Sequence, residues 1–240
     1  MKTASPLLLA LLALCACGSR DEGTQLHLGL DFRPDGNVRT EGTTREFLND
    51  RGDRITLRRA QLTLSSVELL ACQTSSAWKW LRALSPIGTA EAHSKSSPQK
   101  LGTPYVTGLG LADGEGLTLG TLRPPPGSYC RAHLVFAPAD ADAEGLDSRP
   151  DMEGKTLLLE GEWLPAEGGP ARAFHLETDG LINAEVMLEG LTLTPDALEA
   201  SRTLHLAYDR WLDGMDLGAS GDRVTDEVLR NVARSVTLQP

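Results

Sequence analysis

The chain has 240 residues, a formal net charge of -10 and a hydrophobic fraction of 40%. This length is sufficient for one large domain or two small ones with a buried core. The excess of Asp and Glu over Lys and Arg, together with the lack of any block or stripe of Lys and Arg, argues against nucleic acid as a partner.

The first residues have the pattern of a secretion signal that ends at a lipidation site. Lys2 precedes an apolar run, 6–16, that is too short to cross a bilayer as a permanent helix. A small residue, Ala16, then stands before Cys17. This arrangement resembles the bacterial lipoprotein signal, in which cleavage leaves a diacylglycerol-bearing cysteine as the first residue. We therefore predict a signal peptide at residues 1–16 and lipidation of Cys17. The alternative is an ordinary signal peptide cleaved close by.

Cys17 suits lipidation better than Cys15, because an alanine precedes Cys17 and a bulky leucine precedes Cys15. Residues 17–24 are then a lipid-anchored polar spacer. No domain linker or internal repeat follows, so we predict a single domain at residues 25–240.

Strand patterns begin directly after the spacer. In the run 25–32, apolar residues occupy every second position, which predicts a half-buried strand. Residues 33–52 predict a connection with at most a short strand or turn around Phe47. The region 55–69 alternates again, but its register shifts near Ala60, which predicts a strand pair or one bulged strand.

The rest of the chain adds strand candidates, two loops and one helix. Residues 73–102 and the acidic stretch 138–152 have the composition of loops. The further strand candidates are 117–119, 129–136, 156–163, 171–176, 185–194 and 202–208. Valines recur at every fourth position within 224–235, which predicts a helix. This order predicts an all-β fold, an antiparallel Ig-like β-sandwich with one C-terminal helix.

Two cysteines remain if Cys15 is removed with the leader and Cys17 carries the lipid. Cys72 and Cys130 would meet in an oxidising compartment, which predicts one disulfide. On the chain-entropy model, closing so long a loop stabilises the fold by about 4 kcal/mol. The alternative is a metal-binding thiol pair, although no Cys-x-x-Cys spacing supports it.

Four of the five histidines lie inside strand patterns, each between two apolar residues: His27, His133, His175 and His205. Each imidazole therefore points to the face opposite its apolar neighbours. If these strands meet on one side of the sandwich, two to four imidazoles converge, and neutral imidazole suits copper, zinc or nickel. The alternative is that each histidine occupies the solvent face of a separate strand.

The sequence lacks the usual catalytic motifs. It contains no Gly-x-Ser-x-Gly elbow, no phosphate-cradling glycine loop and no His-Glu-x-x-His. We therefore expect a protein without catalytic activity.

Three elements resemble the bacterial MbnP-like family. The run 65–69 is similar to a Ser-Asn-Val-x-Leu-like element of the family's early strand. The run 125–129 matches its Pro-x-Gly-x-Tyr turn before a strand, and 173–177 echoes its late Phe-x-x-His-Leu-Gly element. These are exported β-sandwich proteins linked to copper binding. The resemblance thus implies copper as the metal, with His175 as the best-supported ligand.

Two functions follow from these patterns. The first is a binding protein of the bacterial cell envelope, in the periplasm or at the outer membrane and attached to the membrane through the lipid on Cys17. It would bind copper through His27, His133, His175 and His205. The second is a structural or interaction lipoprotein without metal, whose loops 73–102 and 138–152 contact another envelope protein.

Overall fold

The computed structural model describes residues 23–72, 96–194, 198–218 and 222–239. The predicted signal peptide, Cys17 and most of the predicted loop 73–102 lie outside the described residues. Within them, the strands form two sheets and one C-terminal helix follows, which confirms an all-β, sandwich-like fold. No helix of this part of the chain combines the length and the apolar character needed to cross a membrane.

The described strands are β1 (Gln25–Phe32), β2 (Arg39–Glu41), β3 (Thr44–Leu48), β4 (Arg54–Ala71), β5 (Lys100–Leu101), β6 (Tyr105–Gly108), β7 (Leu117–Leu122), β8 (Gly127–Phe136), β9 (Leu157–Leu164), β10 (Arg172–Thr178), β11 (Ile182–Leu193), β12 (Glu199–Leu206) and β13 (Val236–Gln239). The helix is α1 (Asp222–Ser235).

The smaller sheet has the strand order β13-β12-β1-β7. Strands β1 and β12 run parallel, while the other strand pairs of the described residues are antiparallel, so the antiparallel expectation has one exception. Alternation along β1 buries Leu26, Leu28 and Leu30, each with at most 1% of its surface exposed. This sheet therefore offers one apolar face to the core.

The larger sheet is organised around β4, which has 18 residues. One edge of β4 pairs in turn with β3, β6 and β5, and the other edge pairs with β9 and then β8. The register with β9 shifts between Leu57 and Arg59, so Arg58 is the extra residue of a β-bulge. The region 55–69 is thus one bulged strand and not a strand pair.

One apolar core lies between the two sheets. Residues of β1, β4, β8 and β12 belong to a single contiguous cluster, which Val228 and Val232 of α1 join with no exposed surface. The predicted valine face of the helix is therefore the face that packs. A disulfide joins Cys72, directly after β4, to Cys130 in β8, as predicted.

The acidic segment 138–152 is packed against the larger sheet, although its composition predicted only a loop. It contains short 3-10 turns at Leu146–Ser148 and Pro150–Met152. A second apolar cluster holds it in place, formed by Val106, Ala139, Ala143, Leu146, Met152 and Leu158. The position of this segment is consequently fixed by its own small core.

Candidate functional site

His27 and His205 lie on neighbouring strands of the smaller sheet but do not meet. The parallel register places His205 opposite Asp31 and His27 opposite Ser201. The two histidines are thus four positions apart, which corresponds to about 13 Å at the usual rise of a strand.

The surroundings of these two histidines differ. The side chain of His205 is 12% exposed and bonds through Nδ1 to the carboxylate of Asp31, which is 4% exposed. His27 is exposed, and its Nδ1 lies 2.9 Å from the hydroxyl of Thr121. Because a buried carboxylate needs a hydrogen-bond partner, the arrangement gives His205 a structural role.

His133 and His175 lie in the larger sheet and are also far apart. In β8, His133 stands opposite Glu68 of β4, whereas His175 in β10 stands opposite Glu160, which pairs with Arg59 of β4. Positions 59 and 68 are nine residues apart on β4, or about 30 Å along the strand.

His175 belongs to a network of ion pairs on the outer face of the larger sheet. Its Nδ1 lies 3.1 Å from Glu160 and its Nε2 lies 3.3 Å from Glu177. Lys155 reaches Glu177 at 2.7 Å. Hydrogen bonds from Lys155 and then from His175 lower the pKa of Glu177.

The four histidines therefore do not share one centre. Among the described residues, no group of three or more His, Cys, Asp and Glu side chains is arranged to hold a metal ion. His27 and His175 are exposed on the outer faces of their strands, His133 is partly exposed, and His205 is largely buried against Asp31. The assignment of any one of them as a metal ligand stays a prediction.

Sequence analysis did not identify the ion pair between the buried Arg45 and Asp113, whose side chain is 25% exposed. Arg45 has no exposed surface, and its Nε donates to Asp113 at 2.9 Å. The hydroxyl of Tyr208 donates to the same carboxylate at 2.9 Å. Burial, followed by this carboxylate, raises the pKa of Tyr208. Arg45 also donates to the carbonyls of Gly42 and Leu111, so its hydrogen-bond donors have partners within the protein. The cluster therefore has a structural role.

A pocket of about 250 Å³ lies over the bulge of β4; we call it the arginine pocket. Its polar lining consists of Thr43, Arg58, Arg59, Gln61, Ser148 and Arg149. On this edge of β4, β3 pairs as far as Leu57 and β6 begins to pair at Gln61. The pocket lies beside the gap between these two strands, where the carbonyl of Ala60 accepts a hydrogen bond from the N–H of Leu109 at 3.0 Å.

The bulge explains why two adjacent arginines reach this pocket together. Leu57 and Ala60 are both buried, so Arg58 and Arg59 between them both point away from the core. Regular alternation would send only one of two neighbours outward. Arg149 approaches from the packed segment 138–152, and its Nη1 donates to the hydroxyl of Ser148 at 2.9 Å.

Comparison with protein-family models, with curated proteins and with solved structures finds no match for this chain. The likeness to the MbnP-like family therefore stays a prediction from the sequence elements described above.

We predict that the substitution His205→Ala lowers the free energy of unfolding by about 1–3 kcal/mol, because it leaves the buried Asp31 without this partner. His27→Ala is the matched control on the same sheet, and we expect a change within about 0.5 kcal/mol. Urea unfolding measures both. Equal effects in the two variants would contradict the structural role of His205.

Proposed function

We propose that this chain is a lipid-anchored binding protein of the bacterial cell envelope, without catalytic activity. The lipid on Cys17 holds it at the membrane. The segment 138–152 and the adjoining arginine pocket are the surface that contacts another component of the envelope.

The observation that carries this proposal is the convergence of positively charged side chains at one fixed place in an acidic protein. The net charge of the chain is -10, yet Arg58, Arg59 and Arg149 line the same pocket. The second apolar cluster holds the segment that supplies Arg149. Convergent polar groups on a fixed scaffold are typical of a binding site, and a local charge opposite to that of the whole surface favours a selective partner.

The envelope location rests on the leader and on the disulfide. The Ala16-Cys17 pair has the pattern of a lipoprotein signal, and the bond between Cys72 and Cys130 is of a kind that persists in oxidising compartments. The spacer from Cys17 to the first strand can extend to at most about 29 Å. The start of β1 therefore stays within about this distance of the lipid anchor.

The anchor is tested by replacing the two leader cysteines separately. We expect Cys17→Ser to move most of the protein from the membrane fraction to the soluble fraction of the cells, because the lipid attachment is lost. Cys15→Ser is the matched control and leaves the protein with the membranes. Retention of the Cys17→Ser protein in the membrane fraction would contradict the anchor.

The contact surface is tested in cells with a photo-crosslinking residue. Placed at Asp147, an exposed position of the segment 138–152, it is expected to give a discrete covalent adduct with an envelope component. The control position is Glu199, exposed on β12 of the other sheet. No adduct at Asp147, or the same adducts at both positions, would contradict the proposed surface.

Copper binding through His27, His133, His175 and His205 is the second candidate. The observation in its favour is the accessibility of His175, whose side chain is 52% exposed. A copper centre needs several imidazoles around one point, which these separated strands do not provide. We therefore expect the double variant His133→Ala, His175→Ala to hold as much copper per chain as the unmodified protein. A stoichiometric copper content that this variant loses would favour the copper function instead.

A further inference from the structure

We propose that the arginine pocket binds a tetrahedral oxyanion, phosphate or sulfate, either free or as the terminal group of a small molecule. This inference rests on the proposed function, because it names the ligand of the same surface. It is argued from the charge, the unused donors and the size of the pocket.

The lining of the pocket is positively charged without an acidic side chain among its described residues. The carboxylates that pair with its arginines lie beyond the lining. Arg58 pairs with Glu162 at 2.8 Å, and Arg59 pairs with Asp151 and, at 3.8 Å, with Glu160. Arg59 also donates to Oε1 of Gln61 at 3.0 Å. Each guanidinium carries five N–H donors in a planar fork, so these contacts leave donors for a further anion, most of them on Arg58.

The position of Arg149 is not accounted for by an ion pair. Within the described parts of the chain, it pairs with no carboxylate, and its side-chain hydrogen bond goes to the neutral hydroxyl of Ser148. Arg149 is nonetheless only partly exposed and belongs to a segment fixed by apolar packing. A partly buried guanidinium that lacks a carboxylate partner is suited to binding an anion.

The donors approach the pocket from different elements. Arg58 and Arg59 come from the bulge of β4, and Ser148 and Arg149 come from the segment 138–152. Guanidinium and hydroxyl donors supplied by two separate elements suit an oxyanion with four oxygens better than a carboxylate with two.

Gly108, which lines the pocket, lets β6 approach β4 closely. A Cβ at Gly108 would lie 2.3 Å from the carbonyl oxygen of Ala60, so no larger residue fits between β6 and β4. The guanidinium of Arg149 lies near Gly110, where a Cβ would be 3.6 Å from its Nη2, an ordinary van der Waals distance.

The volume of the pocket limits the size of the ligand. At about 250 Å³ it is smaller than the sites of drug-sized ligands and cofactors, which occupy about 300–1,000 Å³. A single inorganic anion, or the charged end of a small molecule, is the appropriate size.

The test is calorimetric titration of the full chain, purified in detergent in a phosphate-free buffer of low salt. We expect inorganic phosphate to bind with a Kd of about 1 mM or below. Arg149→Gln should weaken the binding by about tenfold or more, since it removes charge-assisted hydrogen bonds. Arg202→Gln, which makes the same charge change on the smaller sheet, is the matched control and should leave the Kd unchanged.

Sulfate, glycerol 3-phosphate and acetate complete the titrations. Binding of glycerol 3-phosphate as tightly as phosphate identifies a terminal phosphate group as the ligand, and preference for the inorganic ions identifies a free anion. If acetate binds as tightly as phosphate, the assignment of a tetrahedral ligand is wrong. Absence of phosphate binding, or equal weakening by both arginine variants, would overturn the site itself. If the phosphate site is overturned but the crosslink at Asp147 is still obtained, the proposed binding function is retained and only the proposed ligand is wrong.

Discussion

Strand β4 pairs with five other strands along its two edges, and its bulge at Arg58 decides which side chains this part of the larger sheet presents to solvent. Before the bulge, Ile55 and Leu57 point into the core. After it, Ala60 and Leu62 do the same. A strand of 18 residues that twists around a core needs such insertions to keep its apolar residues inward, and a second register shift, against β8, lies between Leu64 and Ser66.

The same insertion creates the candidate site. Because the bulge sends Arg58 and Arg59 to the same face, two positive charges stand where a regular strand would place one. Their ion pairs with Glu162 and Asp151 are substantially exposed, and pairs of this kind contribute about 0–1 kcal/mol to stability. Stability alone is thus a weak reason for the position of these arginines, and recognition of an anion is a stronger one.

The elements that depend on local pattern could be predicted from the sequence. Strand β1 has the predicted bounds, the valine face of α1 packs as expected, and the shift of register near Ala60 is the bulge. The disulfide between Cys72 and Cys130 followed from the count of cysteines beyond the predicted leader and lipidation site. In each case the determining residues are close together in the chain or few in number.

Features that depend on long-range proximity could not be predicted. Strand β13 has only four residues, too few for a pattern, and is stabilised by pairing with β12. The burial of Arg45 depends on Asp113, which lies 68 positions away in the chain. The dispersal of the histidines follows from the strand order, which no local pattern contains. Likewise, nothing in the sequence places Arg149 beside the arginines of β4.

The central claim is that the bulge of β4 makes the pocket, because it places Arg58 and Arg59 side by side on the outer face. Its most direct test is the affinity for phosphate of a deletion of Arg58, compared with Arg202→Gln, a variant of the same net charge that keeps the bulge. We expect the deletion to restore regular pairing of β4 with β9, to keep Leu57 and Ala60 in the core and to leave Arg59 as the outward-facing arginine between them. The account predicts two folded proteins, of which the deletion variant binds phosphate more weakly. Equal affinities in the two variants would contradict it.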